Sequence, residues 1–599
     1  MTSSLLDRPR LEAIVSGRRI TAEGVASLAV AFAMWRLART YGGVDIRDAV
    51  AALAPMLAAI PAAAIGLSTL NRRAGLVVAA IGLGIALSAA TASYRADMVA
   101  PVLAYSAMVI TGLATVAIWR RPWGPKAIAA IALVVGVRVW WVGLEVWYGS
   151  SLSASSVDRW MALPWHNQSG VLMAAVAVAF GVAATGEGWR LAFGAMSGLA
   201  AAAVVLSGSR GSLIALGIGI VAAIVAQPRS WRQWALIGAA SVMALAVLTH
   251  LPGAAMSEGG DSQAAVESSS ARVAHWKAAA AMFVDSPLTG SGVGSYRLAS
   301  ARWADGAVNP SSHAHNEYIE FFAEGGVTLG VPFALALIAI AIAAITALRR
   351  PQAGLRSRVV VGAAAVWLTL AVHAGADFDW LFPILAMAFA IAAGVVVGSG
   401  EPRQGPRWMV VPVAALLVIG LGAGYLEGRP GIGGVVHPAW NLGGASSIAE
   451  RAIDAGDYER AHSIIDRAEA WNPGDPGLRM LDAVVGLRTG TGDAGDVVIA
   501  AERAGFRVRL DAATQLSAAG HFEEAQGVVA RTIERFDDYP GWNLGGAAAV
   551  AYRLHVDLAG RIDGCEGARL AADEATSSPL AMAMGTESYT AQAAFLCGQ

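Results

Sequence analysis

Residues 311–330 read SSHAHNEYIEFFAEGGVTLG and run straight into VPFALALIAIAIAAITAL, residues 331–348. The second string carries no charge over eighteen residues, which as a helix covers most of a hydrocarbon layer about 30 Å thick. The first string sets two histidines, an asparagine and three glutamates at its mouth. A charged group carried below the lipid headgroups costs about 3 kcal/mol unless it is paired or wet. The cluster therefore needs a reason.

The chain around it is membrane-like throughout. Its 599 residues are 56% hydrophobic and 15% charged, with a mean hydropathy of +0.54, too apolar for a soluble protein and too long for one domain. Apolar runs fall at about 22–38, 49–70, 74–92, 99–119, 127–147, 169–186, 191–207, 211–227, 235–251, 318–348, 359–376, 381–399 and 408–426. Helices on these runs predict an all-α, polytopic membrane bundle of 12–13 crossings over residues 1–426. The first run follows Arg8, Arg10, Arg18 and Arg19 and is succeeded by many more, so it reads as a retained anchor, not a cleaved leader. A net charge of -1 from 43 basic and 44 acidic residues excludes the basic balance of a nucleic-acid-binding protein.

Alternate loops sort by charge. Arg72 and Arg73, Arg120, Arg121 and Lys126, Arg190, Arg229 and Arg232, Arg349, Arg350, Arg356 and Arg358, then Arg403 and Arg407 share the side of the N-terminus, which the positive-inside rule makes cytoplasmic. Two large regions then fall outside: the loop 252–317 and the tail 427–599. In the tail, AGDYERAHSIIDRA at 455–468 returns as AGHFEEAQGVVART at 519–532, about two repeats of a 34-residue helix hairpin, with AGDVVIAAERA at 494–504 as a middle copy. This predicts a TPR-like helical-repeat domain, either a docking surface for an envelope protein or a structural cap. Cys565 and Cys597 both lie here, as a disulfide or as two unpaired core thiols.

Candidate chemistry gathers at the exterior ends. In SGSRGS, 207–212, glycine permits close backbone approach and Arg210 offers a permanently charged fork suited to phosphate, or else snorkels to the interface. The loop brings Arg272, His275, Trp276 and Lys277 on a helical stretch, followed by the glycine-rich PLTGSGVGSYR. His166 and Asn167 in PWHNQSG, with His373, Asp377 and Asp379 in HAGADFDW, add hydrogen-bonding groups that suit a sugar better than an ion path. His313 and His315 admit three readings: a metal site with Glu317, interfacial anchors, or a base at His315 with Asn316 fixing a donor or acceptor. A lipid-linked sugar transporter would instead need polar or broken helices near the midplane.

SGSRGS before an apolar run, then RVAHWKAAAAMFVDSPLTGSGVGSY, then HAHNEYIEFFAEGG opening another helix, resembles the O-antigen ligase and polymerase superfamily over roughly residues 160–400. The ligase pattern closes on Gly, two residues, Gly; here Gly326 fits, but Leu329 stands at the last place, with Gly330 one further on. The resemblance implies a membrane glycosyltransferase fold (GT-C-like), needing no metal or other cofactor, at the periplasmic face of the bacterial inner membrane. It implies an undecaprenyl-diphosphate-linked glycan as donor and lipid A-core as acceptor, or a growing glycan for a polymerase, or protein for an oligosaccharyltransferase. Carried over by residue, Arg210 and Arg272 bind the diphosphate and His315 with Asn316 is catalytic. His313, His166, Asn167, Asp377 and Asp379 are candidates for holding acceptor or sugar.

Overall fold

The computed structural model describes residues 21–40, 46–91, 98–152, 162–163, 166–186, 190–249, 262–300, 303, 313–349, 354–427, 442–470, 472, 474–502, 506–534, 545–577 and 587–597. The basic segment 1–20 and residues 250–261 and 304–312 lie outside them. Among the described residues the protein is all-helical, with no strand.

Every one of the thirteen apolar runs is helical. Among the described residues eight spans are long and apolar enough to cross a membrane: Ile46–Ser68, Arg72–Thr91, Val99–Trp119, Gly124–Val146, His166–Ala183, Glu317–Arg349, Gly354–Ala374 and Arg407–Leu426. Arg190–Leu206, Arg210–Ala226 and Pro383–Gly398 are apolar but shorter. The protein is a multi-pass membrane protein. The first of the eight spans is bent: Pro55 and Pro61 break it into a helix, a 3-10 turn and a second helix, because each proline lacks the N–H that would bond back along the chain.

The chain forms two compact units. The first comprises residues 1–83, 102–258 and 331–422. Its helix His166–Ala183 packs against Arg190–Leu206, Arg210–Ala226 and Gly354–Ala374, so the SGSRGS turn and the HAGADFDW segment are brought to the same helix. An apolar cavity of about 440 Å³ lies in this unit, bordered by Ile131, Val135, Leu172, Phe180 and Val366.

The second unit comprises residues 84–101, 259–330 and 423–599. In its loop portion Ala279, Met282, Tyr296, Ala299, Ala314 and Ala323 form a small core that ties the helix Ser262–Asp285 to the HAHN turn. In the tail, successive helices from Leu442–Asp454 to Glu587–Leu596 pack on one another, and several also pack on the next but one. The two copies of the recurring phrase adopt one geometry. Gly456 and Gly520 each turn the chain with φ of 76° and 88°. Ala461, Ile464, Ile465 and Ala468 are then buried in the first copy, and Ala525, Val528, Val529 and Thr532 in the second. A disulfide joins Cys565 to Cys597, closing the C-terminal helix onto Gly545–Ser577.

Candidate functional site

Each unit carries a cluster of polar groups built on a turn that opens an apolar helix.

In the first unit, Ser209 is the N-cap of the helix Arg210–Ala226, its hydroxyl accepting from Ser212 N at 3.2 Å. Arg210 follows as the first helical residue and is exposed. The turn beneath it is dry: Ser207, Ser209 and Ser212 are at most 1% exposed. Ser212 Oγ lies 2.8 Å from Ser209 Oγ and 3.3 Å from His373 Nε2, and donates to Asn167 O at 3.0 Å. On its other edge the His373 ring meets both carboxylate oxygens of Asp379 through Nδ1, at 2.8 and 3.0 Å. Asn167 Nδ2 donates to Asp377 Oδ2 at 2.6 Å, and Phe378 N to Asp377 Oδ1 at 3.0 Å. Burial raises the Asp379 carboxyl above its ordinary value, with the neighbouring Asp377 charge adding to that and His373 opposing it.

The structure thus brings Arg210, Asn167, Asp377 and Asp379 into one neighbourhood, with His166 opening the same helix as Asn167. Both aspartates, however, are 1% exposed and taken up by protein donors, so they hold neighbouring residues in place instead of presenting free carboxylates. The role of Ser212 was not legible in the sequence, since the link from SGSRGS to His373 spans 161 positions.

In the second unit the HAHN turn folds back on its own helix. Asn316 Oδ1 accepts from Tyr318 N at 3.1 Å and Ile319 N at 3.2 Å, which commits that oxygen to capping the helix Glu317–Arg349. Glu320 accepts from Ala314 N at 2.7 Å and meets His313 Nδ1 at 2.9 Å, so His313 directs one ring nitrogen inward. Between them His315 has φ of 52°, the one non-glycine residue with positive φ among those described. For a residue with a Cβ this conformation costs about 1–3 kcal/mol and persists only where its surroundings enforce it.

Those surroundings come from a staple of glycines and carboxylates. Glu317, Glu320 and Glu324 stand at helical spacings of three and four, share a face, and are 2%, 5% and 4% exposed. Glu324 accepts from Gly294 N and Tyr296 N, both at 2.9 Å, while its carbonyl accepts from Gly292 N at 2.9 Å and from Ser88 Oγ at 2.8 Å. The helix breaks at Gly326, with φ of 56°, and beyond it Val327 N and Thr328 N donate to Pro287 O and Leu288 O. Gly290, with φ of 68°, lies so close that a Cβ there would come within 2.2 Å of the Glu324 carbonyl. Tyr296, held by Glu324, donates its hydroxyl to His275 O at 2.9 Å. The His275 ring in turn lies 6.0 Å from that of His315, centre to centre. Burial pushes the His275 imidazole down to about 4, helped by the charges of His315 and of Arg272 one turn earlier. It is neutral at neutral pH. The three glutamates were underread in the sequence, although their spacing was the signal.

Residues 195–334 match the family model described as O-antigen ligase. That part of the chain belongs to the O-antigen ligase and polymerase superfamily. The matched segment contains Arg210, Arg272 and His315, and with the apolar helices it supports a membrane glycosyltransferase of the ligase and polymerase type. No curated protein matches the chain.

Proposed function

We propose that this ligase-type protein moves a glycan from undecaprenyl diphosphate to an acceptor hydroxyl at the periplasmic face of the inner membrane, with lipid A-core as acceptor. Breaking the anomeric C–O bond sends negative charge onto the departing diphosphate, and fixed cationic donors lower that barrier most when they are already in place. Arg210, on a turn anchored in buried hydroxyls, and Arg272, beside His275, serve as those donors. The acceptor oxygen attacks the opposite face of the sugar while His315 orients it or takes its proton. One displacement with no protein nucleophile inverts the anomeric centre, and the reaction requires no metal. His313, His166 and Asn167 are the further groups that contact acceptor or sugar in this reading. The apolar cavity of the first unit offers room for part of a polyprenyl chain. The C-terminal helices form a TPR-like periplasmic domain over residues 427–599 that docks an envelope protein partner, while residues 1–426 form the membrane transferase.

The observation that carries the reading is His315 itself. A histidine held at positive φ, at the mouth of an apolar helix and beside a neutral His275, is costly to build and has chemistry to offer. A polymerase, joining one lipid-linked repeat to another, is the second reading. It is favoured by Leu329 where ligases have glycine, with Gly330 packed onto the Phe322 ring instead. The test compares wild type, a deletion and His315→Ala in the source organism, sizing the glycans on envelope glycolipid and on the undecaprenyl pool. Long chains stranded on the carrier beside bare lipid A-core are expected. Single repeats in place of long chains would indicate the polymerase, and unchanged pools in His315→Ala beside a defective deletion would remove His315 from the mechanism.

A further inference from the structure

Ser212, His373 and Asp379 line up as hydroxyl, imidazole and carboxylate, yet the arrangement does not fit a nucleophile. Ser212 is 0% exposed, its oxygen is 3.3 Å from Nε2, and its proton is engaged by Asn167 O. All three groups are 2% exposed or less. What the line does touch is the turn under Arg210. Ser212 Oγ meets Ser209 Oγ, and Ser209 is the residue that starts the helix on which Arg210 stands. Gly211, next to Arg210, packs against the Cδ2–Nε2 edge of the imidazole: a Cβ there would come 3.3 Å from both atoms.

We propose that His373, aimed by Asp379, is a positioning residue for Arg210, acting through the Ser212 hydroxyl and the imidazole edge against Gly211. The proposal rests on the reading of Arg210 as a diphosphate donor. The physical logic concerns leverage. A guanidinium on a flexible stem is only as well placed as its backbone, and that backbone is the first residue of a helix whose capping serine shares its hydroxyl contacts with Ser212. Asp379 accepts from Nδ1 and so fixes the ring's rotation. Nε2 is thereby pointed at Ser212, and the Cδ2–Nε2 edge lies against Gly211. Buried polar groups joined in this way have few alternative arrangements. Removing the imidazole frees Ser212 to turn wholly toward Asn167 and leaves a gap under Gly211. Asn167 and its partner Asp377 brace the same hydroxyl from the opposite side, so they extend the clamp.

The test is a double-mutant cycle on purified protein in proteoliposomes, with transfer from an undecaprenyl-diphosphate-linked glycan as readout. His373→Gln and Ser212→Ala are each made in the wild-type and in the Arg210→Lys background. Displacing a catalytic contact by about 1 Å costs up to about 100-fold, so a fall of about 10- to 100-fold in kcat is expected for His373→Gln. In the Arg210→Lys background the same change should cost less than about threefold, because residues that act as one unit are not additive. Equal losses in both backgrounds would overturn the proposal, as would full activity of His373→Gln. If His373→Gln does not accumulate as folded protein, Ser212→Ala, which deletes a single oxygen, carries the same comparison. Undiminished transfer by Arg210→Ala would instead overturn the underlying reading of Arg210, a different result from additivity.

Discussion

The two turns that open the candidate helices are built by opposite means. Under Arg210 the strain-free chain is anchored from below by serine hydroxyls, His373 and Asp379, and the candidate side chain itself reaches out exposed. At HAHN the candidate residue is itself the distorted one: His315 takes the left-handed conformation, and the bracing comes from carboxylates on the following helix. The difference follows from the side chains. A guanidinium has a long stem and five donors, and finds an anion once its root is fixed. An imidazole turns about two bonds only, so the backbone must aim it.

Substitution at the two residues tests this contrast with the largest effect. Loss of a fixed charge or of the base is expected to lower transfer by about 100- to 1000-fold, so Arg210→Ala and His315→Ala should both fall in that range. Conservative changes should then separate them. Arg210→Lys, still a cation on a flexible stem, is expected to recover about tenfold over Arg210→Ala, whereas His315→Gln should recover nothing over His315→Ala. Equal recovery at both sites, in the same proteoliposome assay, would break the contrast.

Stability separates the turns next. Gly290 has φ of 68° and no room for a Cβ against Glu324. Gly290→Ala therefore incurs a conformational penalty of about 1–3 kcal/mol, to which the clash adds. Gly208, in the first turn, also has φ of 68° but is exposed, so Gly208→Ala should cost only about 1 kcal/mol. Thermal unfolding of the two variants in detergent orders them, and a larger loss at Gly208 would mean that the staple is not what braces the second turn.

How far each turn could be read from sequence differs for the same physical reason. The apolar runs were legible because helix length against bilayer thickness is a local property, and so were SGSRGS and HAHN as motifs. The tail hairpins were legible too, since Gly456 and Gly520 sit at equal positions in a repeated phrase. The braces divide. Glu317, Glu320 and Glu324 lie within one helix, where spacing alone announces a shared face. Their partners Gly294 and Tyr296 are 30 and 28 positions away, and the Ser212 to His373 contact is more distant still. Such contacts depend on which helices pack together, and the apolar periodicity of a membrane helix, with lipid on one side and protein on the other, carries little of that information.

Acid titration gives the smallest effect and the sharpest sign. His275 stays unprotonated down to about 4 in the folded protein, against an ordinary value of 6.5, because it is buried beside His315 and Arg272. Its neutral form is the one the fold accommodates, so as pH falls from 6.5 toward 4 the unfolded chain takes up the proton first. Stability contributed at this position is full above about 6.5 and is lost as pH falls through that window. Asp379 has the opposite sign: burial raises its carboxyl above the ordinary 3.8, so the folded chain holds that proton more tightly and acid does not weaken the first turn through it. Hydrogen exchange should therefore show protection of the helix Ser262–Asp285 falling between pH 6.5 and 4 while that of Arg210–Ala226 does not fall with it. His275→Phe, which keeps an aromatic ring against His315 and removes the proton site, should flatten the first profile and leave the second unchanged. If the profile of Ser262–Asp285 keeps its slope in that variant, the acid sensitivity of the HAHN turn originates elsewhere than in the His275 and His315 pair.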